Sequence, residues 1–191
     1  MVNSKVIYPA LLFVLTCSTS VFAEQYVAGN HGQVFVHGTL TESACQLQME
    51  TTDQSVDLGN IETSSLKYLG ERGRPVEFNI QLVDCFPAYT QLLNERTDTS
   101  IWSTSQPGVQ IQFLAPTTQQ FPNLVNVVGA KGLALELLNK EGHIINLGEK
   151  SSATLLTPPQ DTLKYYVVPV RVGPLEPNAF QAIISFELIY E

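Results

Sequence analysis

Apolar residues recur at every second position over several stretches of this chain, and this period is the feature that most limits its fold. In the longest run, near the C-terminal end, every even position from Phe180 to Tyr190 is apolar. Side chains two positions apart share one face of a β-strand, whereas a helix needs a period of 3.6. The same alternation occurs at 34–40, 76–83, 109–113, 133–138 and 165–170. The chain is therefore predicted to be all-β.

Turn-forming residues separate these runs. Eleven Pro and twelve Gly are spread along the chain, which argues against a long helix bundle. Several short strands with turns between them favour an antiparallel β-sandwich. We expect a short helical turn at 64–69. We expect longer loops at 86–108 and 115–130, which are rich in Gln, Thr, Asn and Pro.

The first 23 residues have the features of a secretory signal peptide. Lys5 supplies positive charge, residues 6–17 are mostly apolar, and Ala23 completes a small-x-small cleavage pattern. A membrane anchor is the alternative, but a run of about twelve residues is short against the ~20 that a span needs. The sequence therefore predicts export of a mature chain that begins at Glu24.

Two cysteines, Cys45 and Cys85, remain after removal of the signal peptide. Export places them in an oxidising compartment, where an isolated pair most simply forms one disulfide. Closing a loop of about 40 residues stabilises a fold by roughly 3–4 kcal/mol in the chain-entropy model. Two unconnected thiols are the alternative. A metal site made of two cysteines without nearby histidines has little support.

The sequence lacks the short motifs that mark common enzyme sites. It has no GxSxG, HExxH, GxGxxG or CxxC motif and no P-loop. The histidines His31, His37 and His143 are interpreted as solvated side chains. The net charge of −8 disfavours nucleic acids and anionic lipids as partners. We expect no enzyme activity, cofactor, metal site, nucleic-acid partner or small-molecule substrate.

Two functions of other classes stay open on the residues alone. Trp102, the single tryptophan, lies in the polar stretch Ser100–Ser105. It is interpreted first as a loop anchor packed on the domain, but it could stack on a sugar. The chain could therefore be a free-standing periplasmic carbohydrate-binding β-sandwich. A small secreted hydrolase with paired carboxylates is the other alternative.

Several segments, taken in order, resemble the pilin subunits of chaperone–usher fimbriae from Gram-negative bacteria. No one segment is highly specific, but the ordered set spans nearly the whole mature chain. The segments are GQVFVHGTL at 32–40 with SAC at 43–45, VDLG at 56–59, FNIQLVDC at 78–85, KGLALEL at 131–137 with INLG at 145–148, and 179–190. The resemblance implies an incomplete immunoglobulin-like β-sandwich. It would lack its final strand and would be completed by a donated one.

The resemblance also implies the partners. In this family a periplasmic fimbrial chaperone lends the missing strand and grips the C-terminal carboxylate. At the outer-membrane usher, the N-terminal strand of a neighbouring subunit replaces it. The chain would then consist of the signal peptide 1–23, an N-terminal extension with the donor strand at 24–40, and a pilin domain at 41–191. It would pass through the periplasm into a fimbrium at the cell surface.

Individual residues acquire expected roles through this resemblance. The residues expected to enter a neighbour's groove are Val34, Val36, Gly38 and Leu40. The residues expected to line the groove edge and bind the chaperone are Phe180, Ala182, Ile184, Phe186, Leu188 and Tyr190. A disulfide between Cys45 and Cys85 would staple the first two core strands.

The type of subunit is a finer expectation. Residues 44–50 and 186–191 look most like the P-pilus assembly terminator, a minor subunit at the fimbrial base that donates a strand but accepts none. Residues 24–31 are shorter and less aromatic than the leader of that terminator. A major rod or adaptor subunit is therefore the alternative. A tip adhesin is not expected, because the chain has no room for a separate lectin domain.

Overall fold

The computed structural model describes residues 34–37, 43–94 and 99–190. The chain divides into two compact units, residues 1–39 and 40–191. In the first unit the described residues 34–37 form neither helix nor strand, and their side chains are exposed. The predicted signal peptide and two of the predicted donor residues, Gly38 and Leu40, lie outside the described residues.

The regular secondary structure in the described part of the second unit is almost entirely β, which confirms the all-β prediction. One four-residue α-helix, α1 (Met49–Thr52), and one 3₁₀ turn (Thr63–Ser65) accompany the strands. The strands are β1 (Gln46–Leu47), β2 (Val76–Val83), β3 (Thr90–Asn94), β4 (Thr99–Ser103), β5 (Gly108–Leu114), β6 (Val125–Asn126), β7 (Lys131–Asn139), β8 (Thr154–Leu155), β9 (Asp161–Glu176) and β10 (Ser185–Tyr190).

The largest sheet has five antiparallel strands in the order β1-β2-β9-β7-β6. The 16-residue strand β9 lies at its centre. The first part of β9 pairs with β2, so that Tyr165 lies opposite Phe78, and the rest pairs mainly with β7. Because β9 has a neighbour on each side, it holds the sheet together.

A second sheet has the order β10-β5-β8, and β3 and β4 form a separate two-stranded sheet. In the second sheet Phe186 of β10 lies opposite Phe113 of β5, and Leu188 lies opposite Ile111. The alternation places these apolar side chains on one face. The second sheet can therefore contribute that face to a core.

The core forms where the inner faces of the two larger sheets meet. Phe113 is fully buried there, and its ring centroid lies 5.0 Å from that of Tyr165 and 6.2 Å from that of Phe78. At one end, a disulfide joins Cys45, just before β1, to Cys85, just after β2. The expected cysteine pairing is therefore present, next to a core shared by both sheets.

Both predicted loops are wrong in part, since residues 115–130 contain the short strand β6. Residues 86–108 were expected to be irregular, but they contain the hairpin of β3 and β4. Thr90 anchors it, since its hydroxyl oxygen accepts a hydrogen bond from the Gly108 amide at 2.8 Å. Pairing between two short polar strands leaves little hydrophobic periodicity in the sequence, and the pattern therefore did not reveal it.

The C-terminal run is not one continuous strand, as the alternation suggested. Regular pairing begins only at Ser185. Before it, Gln181 and Val128 exchange two backbone hydrogen bonds of 2.9 Å. This local bridge takes residues 180–184 out of the ladder with β5, although their alternation continues. The expected helical turn at 64–69 is also shorter and earlier, at Thr63–Ser65, and α1 was not predicted.

Candidate functional site

A long groove opens on the second unit between two segments of chain. Residues 51–61 form one side, and residues 177–186 form the other. Its volume is about 1050 Å³. The residues at its floor come from both larger sheets and are apolar: Phe78, Phe113, Leu133, Leu135 and Val167. The groove therefore reaches into the hydrophobic core.

A second cavity of about 630 Å³ continues the groove toward the C-terminal end of β10. It lies between Ser43–Leu47 and the inner side chains of β10. Asp53, Ile184 and Phe186 line both cavities. The two cavities are therefore parts of one open channel along this side of the sandwich, which we call the groove.

The sides of the groove differ in polarity from its floor. On the rim, Asp53 and Ser55 are exposed, as is Gln181 on the opposite side. The Asp57 carboxylate accepts a hydrogen bond of 2.8 Å from the Gly59 amide and so shapes the turn on the rim. An apolar floor between polar rims suits a ligand with apolar side chains and a polar backbone.

The six C-terminal residues singled out in the sequence lie along this groove. All are half-buried and pack against the core cluster, whereas Ile183 between them is 77% exposed. The six residues are Phe180, Ala182, Ile184, Phe186, Leu188 and Tyr190. They cover the core incompletely, which leaves apolar surface in contact with solvent.

The backbone beside the groove is incomplete as well. Strand β10 pairs with β5 along one edge. No strand among the described residues pairs with its other edge, which faces the groove. A free strand edge presents a row of backbone donors and acceptors. This edge can therefore accept another strand.

Tyr190 marks the far end of the groove. Its ring lines the second cavity beside Ser43. Burial raises the pKa of the Tyr190 hydroxyl, and the neighbouring Ser43 opposes that shift. The hydroxyl therefore stays neutral at physiological pH, where it adds no charge to an apolar channel.

The structure describes only two of the four predicted donor residues. Val34 and Val36 belong to the first unit and are 88% and 89% exposed. Gly38 and Leu40 lie outside the described residues. The donor role therefore stays a prediction.

Sequence reasoning missed the opposite wall of the groove. Leu58 and Ile61 pack against the core from that wall and line the groove. The segment 56–59 was noted only for its resemblance, and it has no strand in the structure. Val56, Leu58 and Ile61 are the apolar residues of an otherwise polar stretch, and they were the available signal, because an isolated apolar side chain beside a turn often packs inward.

Two further features of the chain concern metal ligands and membrane spans. Within 34–37, 43–94 and 99–190, no three His, Cys, Asp or Glu side chains come together as metal ligands would. In the same part of the chain, none of the helices has the length and apolar character required to cross a membrane.

Comparison with known proteins agrees with this geometry. A solved chaperone–usher pilus, studied for the uncoiling of its rod, has the same fold with a TM-score of 0.62 at 21% identity. The match covers 86% of this chain and 98% of that one. The fold is thus the incomplete immunoglobulin-like sandwich of pilus subunits.

The sequence identifies the family. The family model described as "Fimbrial protein" matches residues 34–191. The fimbrial subunit type 1 of Klebsiella pneumoniae is 25% identical over 191 residues, covering 98% of each chain. The fimbria A protein of Serratia marcescens is 26% identical over 165 residues, covering 84% of this chain and 85% of that protein. The chain belongs to the fimbrial protein family and is a fimbrial subunit.

Proposed function

We propose that this chain is a structural subunit of a chaperone–usher fimbria whose groove accepts an extended strand from a neighbouring subunit. The observation that carries the proposal is the set of six half-buried residues beside the free edge of β10. A strand placed there would pair with β10 through its backbone. Its alternate side chains would enter the groove, which is recognition by β-augmentation.

Burial makes such a strand a strong ligand. Removing one Val or Leu side chain from water contributes about 1.5–3 kcal/mol, and several would enter together. The same argument explains why the empty groove is a liability, since a free edge above exposed apolar surface favours aggregation. A periplasmic chaperone that lends a strand would protect the subunit until the usher exchanges it.

The donor would be the corresponding segment of another subunit. In this chain we assign that role to Val34, Val36, Gly38 and Leu40, because they alternate as the groove requires. Residues 1–23 would be removed as a signal peptide, residues 24–40 would carry the donor strand, and residues 41–191 would form the accepting domain. The subunit would pass through the periplasm into a fimbrium at the cell surface.

The groove bears on the position of the subunit in the fimbria. A terminator donates a strand but accepts none, so its groove should be blocked. Here the groove continues from Asp57 to Tyr190. This continuity supports an internal position, as in a rod or adaptor subunit, over the terminator expected from residues 44–50 and 186–191.

Strand exchange tests both the function and the position. The chaperone-bound chain would be mixed with a peptide of residues 32–42 from this sequence. We expect a subunit–peptide complex that resists denaturant, and no complex with a peptide carrying Val34→Asp and Val36→Asp. If the chain stays on the chaperone and refuses the peptide, it is a terminator. If the free chain is a stable monomer that unfolds cooperatively without any strand, the proposal is wrong.

A matched pair of variants locates the strand. Ile184→Asp places a charge in the groove, and Ile144→Asp places the same charge at an exposed position that lines neither cavity. We expect Ile184→Asp to abolish the peptide complex and Ile144→Asp to weaken it by less than about threefold, since an exposed substitution outside the groove changes little. Equal loss in both variants would contradict the proposed location of the strand.

A further inference from the structure

The β3–β4 hairpin carries an exposed aromatic surface that the groove does not use. The side chains of Tyr89 and Trp102 are 64% and 68% exposed, and Gln91 is exposed as well. On the opposite face of the hairpin, Thr90 is 1% exposed and bonded to Gly108. Trp102 is therefore not the packed loop anchor that the sequence suggested first, because its side chain points to solvent from a fixed hairpin.

The three exposed residues are adjacent. Gln91 lies directly opposite Trp102 in the register of the hairpin. The Tyr89 hydroxyl donates a hydrogen bond of 3.1 Å to the side-chain carbonyl oxygen of Gln91. This bond orients the amide, and the amide nitrogen of Gln91 has no partner within the described residues. Two aromatic rings thus flank a hydrogen-bond donor whose orientation is set.

The two strands of the hairpin carry no charged residue. Residues 85–94 and 99–108 contain no Asp, Glu, Lys or Arg, and the charged residues of this segment, Glu95, Arg96 and Asp98, belong to the sequence that joins the strands. Tyr68, another exposed aromatic residue, differs, because its own amide is bonded to the carboxylate of Glu71. Aromatic rings and an amide on strands without charge are contacts that suit an uncharged ligand.

We propose that Tyr89, Gln91 and Trp102 form a binding site for the pyranose rings of a neutral glycan. The apolar C–H face of a pyranose packs on an aromatic ring, and its hydroxyls accept hydrogen bonds from a side-chain amide. A neutral sugar also matches the two strands, which carry no charged residue. The site is independent of strand acceptance, because it lies on the hairpin and none of its residues lines the groove.

The single tryptophan makes this site directly observable. Fluorescence of the full folded chain reports on Trp102 alone, and the peptide of residues 32–42, which has no tryptophan, can be present to complete the fold. Cellotetraose, maltotetraose and lactose would be titrated as probes. We expect a saturable change in emission with at least one of them, together with protection of Trp102 from acrylamide quenching.

Variants distinguish sugar binding at this site from unspecific effects on the fluorescence. We expect Tyr89→Ala and Gln91→Ala each to weaken binding by about tenfold, the effect of losing one stacking or hydrogen-bonding contact. Tyr89→Phe keeps the ring and should lose only part of the affinity, and near-UV circular dichroism checks that each variant folds. Tyr68→Ala, at the exposed aromatic residue outside the site, should leave affinity unchanged.

Three results would overturn the proposal. The first is the absence of a saturable response to any of the three saccharides. The second is a response that survives unchanged in Tyr89→Ala and Gln91→Ala. The third is a spectral shift that follows protein concentration and not sugar, because it would make this surface a contact between copies of the chain.

Discussion

Strands β2 and β10 have the same alternating pattern and similar residue types, yet their inward side chains are buried to different extents. In β2, the inward residues Ile80 and Leu82 are 0% and 1% exposed. In β10, Phe186 and Leu188 remain half-buried. Strand β2 has a partner on each edge, whereas β10 has one, among the described strands. The comparison teaches that alternation selects the inward face, and that the neighbouring strands decide whether this face is buried.

The two regions should therefore respond differently to substitution. Ile80 and Leu82 of β2 belong to a core that is already closed. If another strand fills the groove as proposed, the inward residues of β10 become fully buried as well. Urea denaturation of the complex with the peptide of residues 32–42 measures the core, and the affinity for that peptide measures the groove.

Ile80→Ala should have the largest effect, with a loss of about 2–5 kcal/mol in the free energy of unfolding, because it opens a cavity in a closed core. Urea denaturation of the chain in complex with the peptide of residues 32–42 measures the loss. Ile144→Ala, at an exposed position outside the groove, is the control and should stay within about 0.5 kcal/mol. Ile80→Ala should leave the affinity for the peptide unchanged, and a loss of that affinity would place Ile80 functionally in the groove.

Removal of the disulfide should cause the second largest loss in the free energy of unfolding. The double variant Cys45→Ala and Cys85→Ala releases a loop closed over a sequence separation of 40 residues. The expected loss is about 3–4 kcal/mol from the entropy of the unfolded chain. Reduction of the unmodified chain with dithiothreitol should reproduce it in the same urea titration. Coincident unfolding curves for the variant and the oxidised parent would refute this expectation.

Alkaline pH should weaken the closed core through Tyr165. Burial raises the pKa of its hydroxyl to about 12, and the nearby charge of Glu141 adds to the shift. The folded pKa exceeds the unfolded value of about 10, so its stabilising effect is complete below pH 10 and is lost as pH rises toward 12. The loss over this window is about 2–3 kcal/mol.

The matched variant is Tyr165→Phe, which keeps the ring packed against Phe113 and removes the ionisable group. Its stability should fall less between pH 10 and 12 than that of the parent chain, as followed by far-UV circular dichroism in urea. Parallel pH profiles for the two chains would show that Tyr165 is not the group responsible.

A smaller effect is expected on the outer face of the large sheet. Arg72 binds Glu136 through two contacts of 2.6 and 2.9 Å, and the Glu136 side chain is 6% exposed. Arg72→Ala would leave that carboxylate buried without its partner, at a cost of about 1–3 kcal/mol. Adding Glu136→Gln should recover part of the lost stability. A double-mutant cycle measures the coupling energy between Arg72 and Glu136.

The exposed pair of Lys131 and Glu176 provides the control for that cycle. Its atoms are 2.8 Å apart, but the side chains are 73% and 65% exposed. Lys131→Ala should cost less than about 1 kcal/mol, because water screens the pair. If both pairs gave the same coupling energy, burial of Glu136 would not be the decisive difference between them.

Prediction from the sequence succeeded for most of the runs that alternate strongly, although residues 34–37 and 180–184 alternate without forming a regular strand. The faces of β2, β5, β7 and β9, and the inward side of the C-terminal run, all follow from apolar residues at every second position. The hairpin of β3 and β4 was missed, because Thr90 and Trp102 belong to short polar segments without such a pattern. The wall that contains Leu58 and Ile61 was missed for a related reason, since residues without regular structure have no period.

The sequence by itself determined which side chains share a face of each strand, because backbone geometry places alternate residues on opposite sides. It also determined that Cys45 and Cys85 had only each other as partners once the first 23 residues are set aside. The tertiary structure decided which faces are covered by a second sheet and that no described strand pairs with the inner edge of β10. It also turned Trp102 toward solvent. Burial depends on neighbours distant in sequence, and no local pattern contains them.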